Sequence, residues 1–188
     1  MNIPSKHGLC QPLQHWLDKL PHSAPLRATT ESPTFEGSRL EHWIAASQLP
    51  SDSLVTAMLW LRVGAIDPPH EIVQEGKTPL ASYLHGVVHR LEGDYWNSKY
   101  WFRQAKDDSM LQSLSRSMER SLSEAGLLVC ASSLKIMQAN RFNPSELVTA
   151  IEHQNQQSKP NAEEVETLEH ICWLEWASLW EIVLPDNV

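Results

Sequence analysis

The sequence predicts an all-α fold of stacked antiparallel helical hairpins, irregular and tetratricopeptide-like, with little or no sheet. Three observations predict it. Apolar residues recur at helical spacing in segment after segment; those segments are bounded by cap residues, glycines and prolines; and no stretch combines strict alternation with β-branched enrichment.

Residues 1–37 carry Pro4, Pro12, Pro21, Pro25 and Pro33 among many Ser, Thr and His. That composition predicts an N-terminal arm with one short helix, near Pro12 to Leu20, docked on the body by Trp16. The remainder, 38–188, reads as a single helical domain. Leu40, Trp43 and Ile44 open it at i, i+3, i+4 spacing, and Pro50 closes that segment. Ser51, Asp52 or Ser53 can cap the next helix, which runs through Leu54, Met58, Leu59 and Leu61 to Val63 and stops at Gly64. Asp67 before Pro68 and Pro69 reads as the cap of a short helix containing Ile72 and Val73. Thr78 before Pro79 repeats the signal and opens a helix with Tyr83, Leu84, Val87, Val88 and Leu91, stopped by Gly93. Asp94 then caps a helix from Tyr95 to about Lys106.

Aligning Gly64 with Gly93 superposes two helix, glycine turn, helix units about 29 residues apart, a period suited to stacked hairpins. Beyond them the pattern predicts a helix from about Met110 to Asn140 with a break near Gly126, a short helix started by Asn143 and Pro144, and a polar loop from Gln154 to Asn161. The last helix, about Ala162 to Leu184, places Val165, Leu168, Cys172, Glu175 or Trp176, and Leu179 on one stripe flanked by Trp173 and Trp180.

A chain of 188 residues, 41% of them hydrophobic, can build one core. Its 23 acidic and 15 basic residues leave a net charge of −8, with no basic run, which disfavours nucleic acid and anionic membranes as partners. The apolar stretches from Leu54 to Val63 and from Ile171 to Leu184 are too short or too often interrupted by charge to span a bilayer. Met1 to Leu20 lacks the pattern of a secretory signal, so the cytoplasm is the expected location. Cys10, Cys130 and Cys172 are odd in number and far apart, which predicts reduced, mostly core thiols.

The segment Leu84-His85-Gly86-Val87-Val88-His89-Arg90-Leu91-Glu92-Gly93-Asp94-Tyr95, followed by Ser98, Phe102 and Ala105, resembles a tetratricopeptide hairpin. Gly86, Gly93, Ser98, Phe102 and Ala105 occupy the small, turn and aromatic positions that let two such helices pack closely. Over about forty residues, Asp67 to Ala105, the string with His70, Thr78-Pro79, Tyr83, His85, His89-Arg90, Glu92, Asp94-Tyr95 and Asn97-Ser98-Lys99-Tyr100-Trp101-Phe102-Arg103 also resembles an uncharacterised family of bacterial helical proteins. Leu174-Glu175-Trp176 is similar to that family's C-terminal helix. The resemblance implies a helical fold and directs attention to this hairpin; it implies no activity.

His85, His89 and Glu92 lie at i, i+4, i+7, one face of a helix, where two imidazoles and a carboxylate can hold a divalent metal. His70, Asp94 or His170 would have to complete the site. On the second helix Asn97, Tyr100, Trp101 and Gln104 share one side, while Lys99 and Arg103 lie four residues apart on another. With Arg90 and Asp94 these residues suit a small anionic or planar ligand, or an acidic peptide terminus. The same residues admit a purely structural reading, in which Arg90, Glu92, Asp94, Lys99 and Arg103 tie the two helices by ion pairs. No GxSxG elbow and no phosphate-cradling glycine loop is present, and His170 and Cys172 face different sides of their helix. The leading expectation is therefore a non-catalytic binding or scaffold protein that recognises a protein or small-molecule partner through residues 79–106. No cofactor is needed for it, and Trp173, Trp176 and Trp180 are available to hold a peptide or build a homodimer. The alternative is a small metal-dependent enzyme or ligand-binding protein using His85, His89 and Glu92.

Overall fold

Each boundary residue singled out by the sequence has a physical job. In a computed structural model, which describes residues 9–28, 35–127 and 131–184, the described residues form ten helices and one two-stranded ribbon, an all-α fold. Helix α1 (Gln11–Lys19) buries Leu13 and Leu17, and Trp16 packs on Trp43 of α2 (Phe35–Ala46) at 5.6 Å between ring centroids. Helix α2 ends four residues before Pro50, in a turn where Gln48 takes a positive φ. Ser53 caps α3 (Leu54–Arg62) by accepting from the Thr56 N–H, and Gly64, at φ 73°, lets the chain leave it. Helix α4 (Asp67–Val73) starts at Asp67 itself, one residue earlier than a capping role for Asp67 requires; the acid then sits in the first turn, where its charge favours the helix dipole.

The next hairpin is α5 (Pro79–Glu92) and α6 (Tyr95–Gln104). Thr78 and Asp94 accept from Ala81 N–H and Asn97 N–H, and Gly93 takes φ 84° between them. The two axes come close because Gly86 presents no side chain: a Cβ there would lie 2.9 Å from the Phe102 ring, and Ser98 Oγ donates to Gly86 O at 2.7 Å. From Ala81 to Leu91 every side of α5 is buried, so it is an interior helix rather than an amphipathic surface one.

The predicted long helix after Met110 is divided. Helix α7 (Asp108–Glu124) ends before Gly126, and α8 (Ala131–Ile136) leads into β1 (Met137–Gln138) and β2 (Arg141–Phe142). That ribbon pairs Met137 with Phe142 and Gln138 with Arg141, leaving Ala139 and Asn140 as a two-residue loop with both φ positive, the geometry of a tight hairpin. Helix α9 (Pro144–Gln156), capped by Asn143, extends into the expected polar loop. Helix α10 (Ala162–Val183), capped by Asn161, is buried from Leu168 to Trp180 except at Glu169 and His170. It packs on α3, α7 and α9, and completes the core around α5.

Candidate metal centre

Helix α5 turns once between His85 and His89, so both imidazoles leave it on one face; the rings stack at 4.7 Å and are buried, 4% and 7% exposed. Helix α4 brings His70 against them. Its Nε2 lies 3.0 Å from His85 Nε2, and its ring lies 5.3 Å from His89. One nitrogen from each of the three histidines lies within 4.8 Å of the others. Two nitrogens bound to one tetrahedral zinc at about 2.0–2.1 Å stand about 3.3 Å apart, so the His70–His85 separation is already close to that of a ligand pair.

The surroundings suit ligation. Glu92 Oε2 lies 2.6 Å from His89 Nδ1, a hydrogen bond that orients that imidazole, while Glu92 Oε1 stands 3.8 Å from His70 Nδ1, too far for one. Asn97 Nδ2, from α6, donates to His89 Nε2 at 3.1 Å, so Asn97 has to swing aside for that nitrogen to take an ion. The Trp101 ring stacks on His85 at 4.0 Å and roofs the cluster. Burial, and then the neighbouring His89 and His70, push the His85 pKa from 6.5 down to about 4. It is therefore a neutral imidazole at physiological pH, the form that binds metals. His85 Nδ1 is buried and has no hydrogen-bond partner. His70, with 35% of its side chain exposed, is the face through which an ion would enter.

No family model, curated protein or solved structure matches this chain. Function must be argued from the site.

The other residues named from sequence go to different places. Asp94 is spent capping α6. His170 stacks edge-on against Trp173, away from the three histidines. Arg90 turns inward: its Nη2 donates to Glu175 Oε2 at 2.5 Å, and Tyr83 Oη donates to Glu175 Oε1 at 2.7 Å. Burial opposes the Arg90 charge, but the adjacent Glu175 carboxylate more than offsets this and holds its pKa above the ordinary value. Lys99 pairs with Glu152 of α9 at 3.0 Å, and Tyr95 Oη accepts from Asn155. The ion pairs of Arg90 and Lys99 thus reach α10 and α9 rather than tying α5 to α6. Arg103 faces a separate cavity.

Trp96 and Tyr100, stacked at 6.3 Å, are 75% and 40% exposed on the outside of α6. Trp173, Trp176 and Trp180 are at most 6% exposed, so they have no free face for a peptide or a second copy; Trp176 Nε1 donates to Met58 O inside the core. Cys172 is buried, and burial raises its thiol to about 12 despite the lowering effect of Arg90, so it is no thiolate nucleophile. Cys130 lies outside the described residues. Sequence reasoning missed the role of Glu175, although a carboxylate within a stripe of Leu, Cys and Trp signals a buried partner for a cation.

Proposed function

We propose that this protein binds one divalent transition metal, zinc foremost, through His70, His85 and His89, with Glu92 orienting His89. The observation that carries the reading is the meeting of three imidazoles from two helices, one nitrogen of each within 4.8 Å of the others. Imidazole donors suit Zn, Cu, Fe and Ni. Three protein ligands leave a tetrahedral ion one position for water or a ligand, the composition of zinc sites that do chemistry rather than only brace a fold.

The test is elemental analysis of untagged protein, followed by cobalt(II) substitution. Wild type should hold close to one equivalent and give the intense visible bands of tetrahedral cobalt. His70→Ala, His85→Ala and His89→Ala should each lose both while keeping their helical spectrum. Glu92→Gln should keep the site but weaken it by roughly 10- to 100-fold, as expected when a supporting partner is lost. A folded wild type that takes up neither zinc nor cobalt would sink the reading.

A second reading, partner capture by the 79–106 hairpin, is favoured by the exposed Trp96–Tyr100 pair. Aromatic anchors of this kind dominate binding surfaces, and Trp96→Ala with Tyr100→Ala should abolish capture without touching metal content.

A further inference from the structure

A cavity of about 380 Å³ opens on the other side of α6, bounded by the end of that helix, α7, the β1–β2 ribbon and the start of α9. Arg103 and Arg141 both line it, and none of the residues in its lining is acidic. Helix geometry explains why Arg103 points there: two residues beyond Trp101, it is turned by about 200° from the side that stacks on His85. The tight loop at Ala139 and Asn140 sets Arg141 beside Gln138 on the opposite wall.

The polar groups in this cavity divide into two sets. Ser115 Oγ donates to Leu111 O and accepts from Phe142 N–H, and Asn143 Oδ1 caps α9, so both are occupied. The side chains of Arg103, Arg141 and Gln138 make no hydrogen bond or ion pair with any described residue. In a chain with eight more acids than bases, two guanidiniums facing one concavity without a carboxylate are an arrangement that folding alone does not require. Phe102, Leu111 and Phe142 supply an apolar wall between them. The volume lies within the range of small-molecule sites, which are typically apolar with a few fixed polar groups. Planar guanidinium forks match the paired oxygens of phosphate and carboxylate.

We infer that this cavity is a second binding site, independent of the histidine cluster, for a small organic anion: a phosphate monoester or carboxylate with an apolar body. The anionic head sits between Arg103 and Arg141, and the body lies on Phe102 and Phe142.

The experiment is a nuclear magnetic resonance titration of full-length protein in chelator-containing buffer, which keeps the histidine site out of the measurement. The probes are phenyl phosphate, phenylacetate and inorganic phosphate, read on backbone amides and arginine Nε–H groups. Phenyl phosphate, phenylacetate or both should shift resonances around Arg103, Phe142 and Arg141 saturably. Arg103→Gln and Arg141→Gln should each weaken that binding by at least tenfold. Both arginines are exposed, so these variants should keep the wild-type spectrum elsewhere. Preference for phenyl phosphate or for phenylacetate identifies the head group. No saturable shift with either aryl probe would overturn the inference, as would unchanged affinity in either variant. Equal affinity for inorganic phosphate would overturn the assigned apolar half.

Discussion

Arg90 shows how one residue changes meaning between sequence and structure. Next to His89 and Glu92 in the chain, it reads as a ligand-positioning cation; in the fold it is 3% exposed and bound to a carboxylate 85 residues away. Periodicity ranks Glu175 as a stripe position but cannot say which cation it meets, because that contact crosses the whole domain. Breaking such a pair leaves an uncompensated buried charge, so Glu175→Leu should destabilise the protein by about 3–5 kcal/mol. The double replacement Arg90→Met with Glu175→Leu should cost less than that single change. Urea unfolding of the three proteins checks both; a single variant within experimental error of wild type would remove the pair from the core's accounts. His85 supports a second residue-scale prediction. Its folded pKa of about 4 lies below the ordinary 6.5, so the unfolded chain binds more protons between those values. Stability of chelator-treated protein should therefore be full above about pH 6.5 and fall as pH drops towards 4. His22 and His170, also lowered by burial, act with the same sign. In His85→Gln the urea midpoint should depend less on pH across that window, and an unchanged pH slope would refute the assignment.

At the scale of elements, the caps were the most legible part of the sequence. Ser53, Thr78, Asp94 and Asn143 each accept the backbone N–H groups expected of them, because capping is local chemistry over three residues. The β1–β2 ribbon was not legible. Two residues per strand carry no alternation to detect, and Ala139 with Asn140 is a poor signature for a loop that needs two positive φ values. The close approach of α5 and α6 was visible as Gly86, Ser98 and Phe102 in the tetratricopeptide-like hairpin. Gly86→Ala would place a methyl against the Phe102 ring, which is itself packed on Tyr83 at 4.8 Å and has little room to retreat. Overpacking of that kind should cost about 1–3 kcal/mol, seen as a lower urea midpoint with unchanged helical content. A neutral result would mean that α6 slides away freely, and would loosen Asn97 and Trp101 from the histidines as well.

For the whole molecule, the fold class followed from helical periodicity, whereas the third histidine of the proposed site depended on how hairpins stack. His70 precedes His85 by fifteen residues on a helix of seven, with no spacing rule linking them. The packing of α4 on α5 brings it into range. That dependence would make metal binding at the proposed site a report on the assembled fold. The unfolded chain offers His85 and His89 one turn apart at best, so an ion held at the proposed site would bind the folded state preferentially and stabilise it by linkage. At a free metal concentration of about 100 times Kd the gain is about 2.7 kcal/mol, which for a domain of this size corresponds to a rise in Tm of roughly 5–10 °C. Zinc should produce that shift in wild type and magnesium should not, since imidazole is a poor ligand for magnesium. His70→Ala isolates the tertiary part of the site: it removes a half-exposed ring from α4 without opening the core, so its metal-free Tm should stay near wild type while the zinc-induced rise disappears. If His70→Ala keeps the full shift, the metal is held by His85, His89 and Glu92 on α5 alone, and the two hairpins are not joined through it.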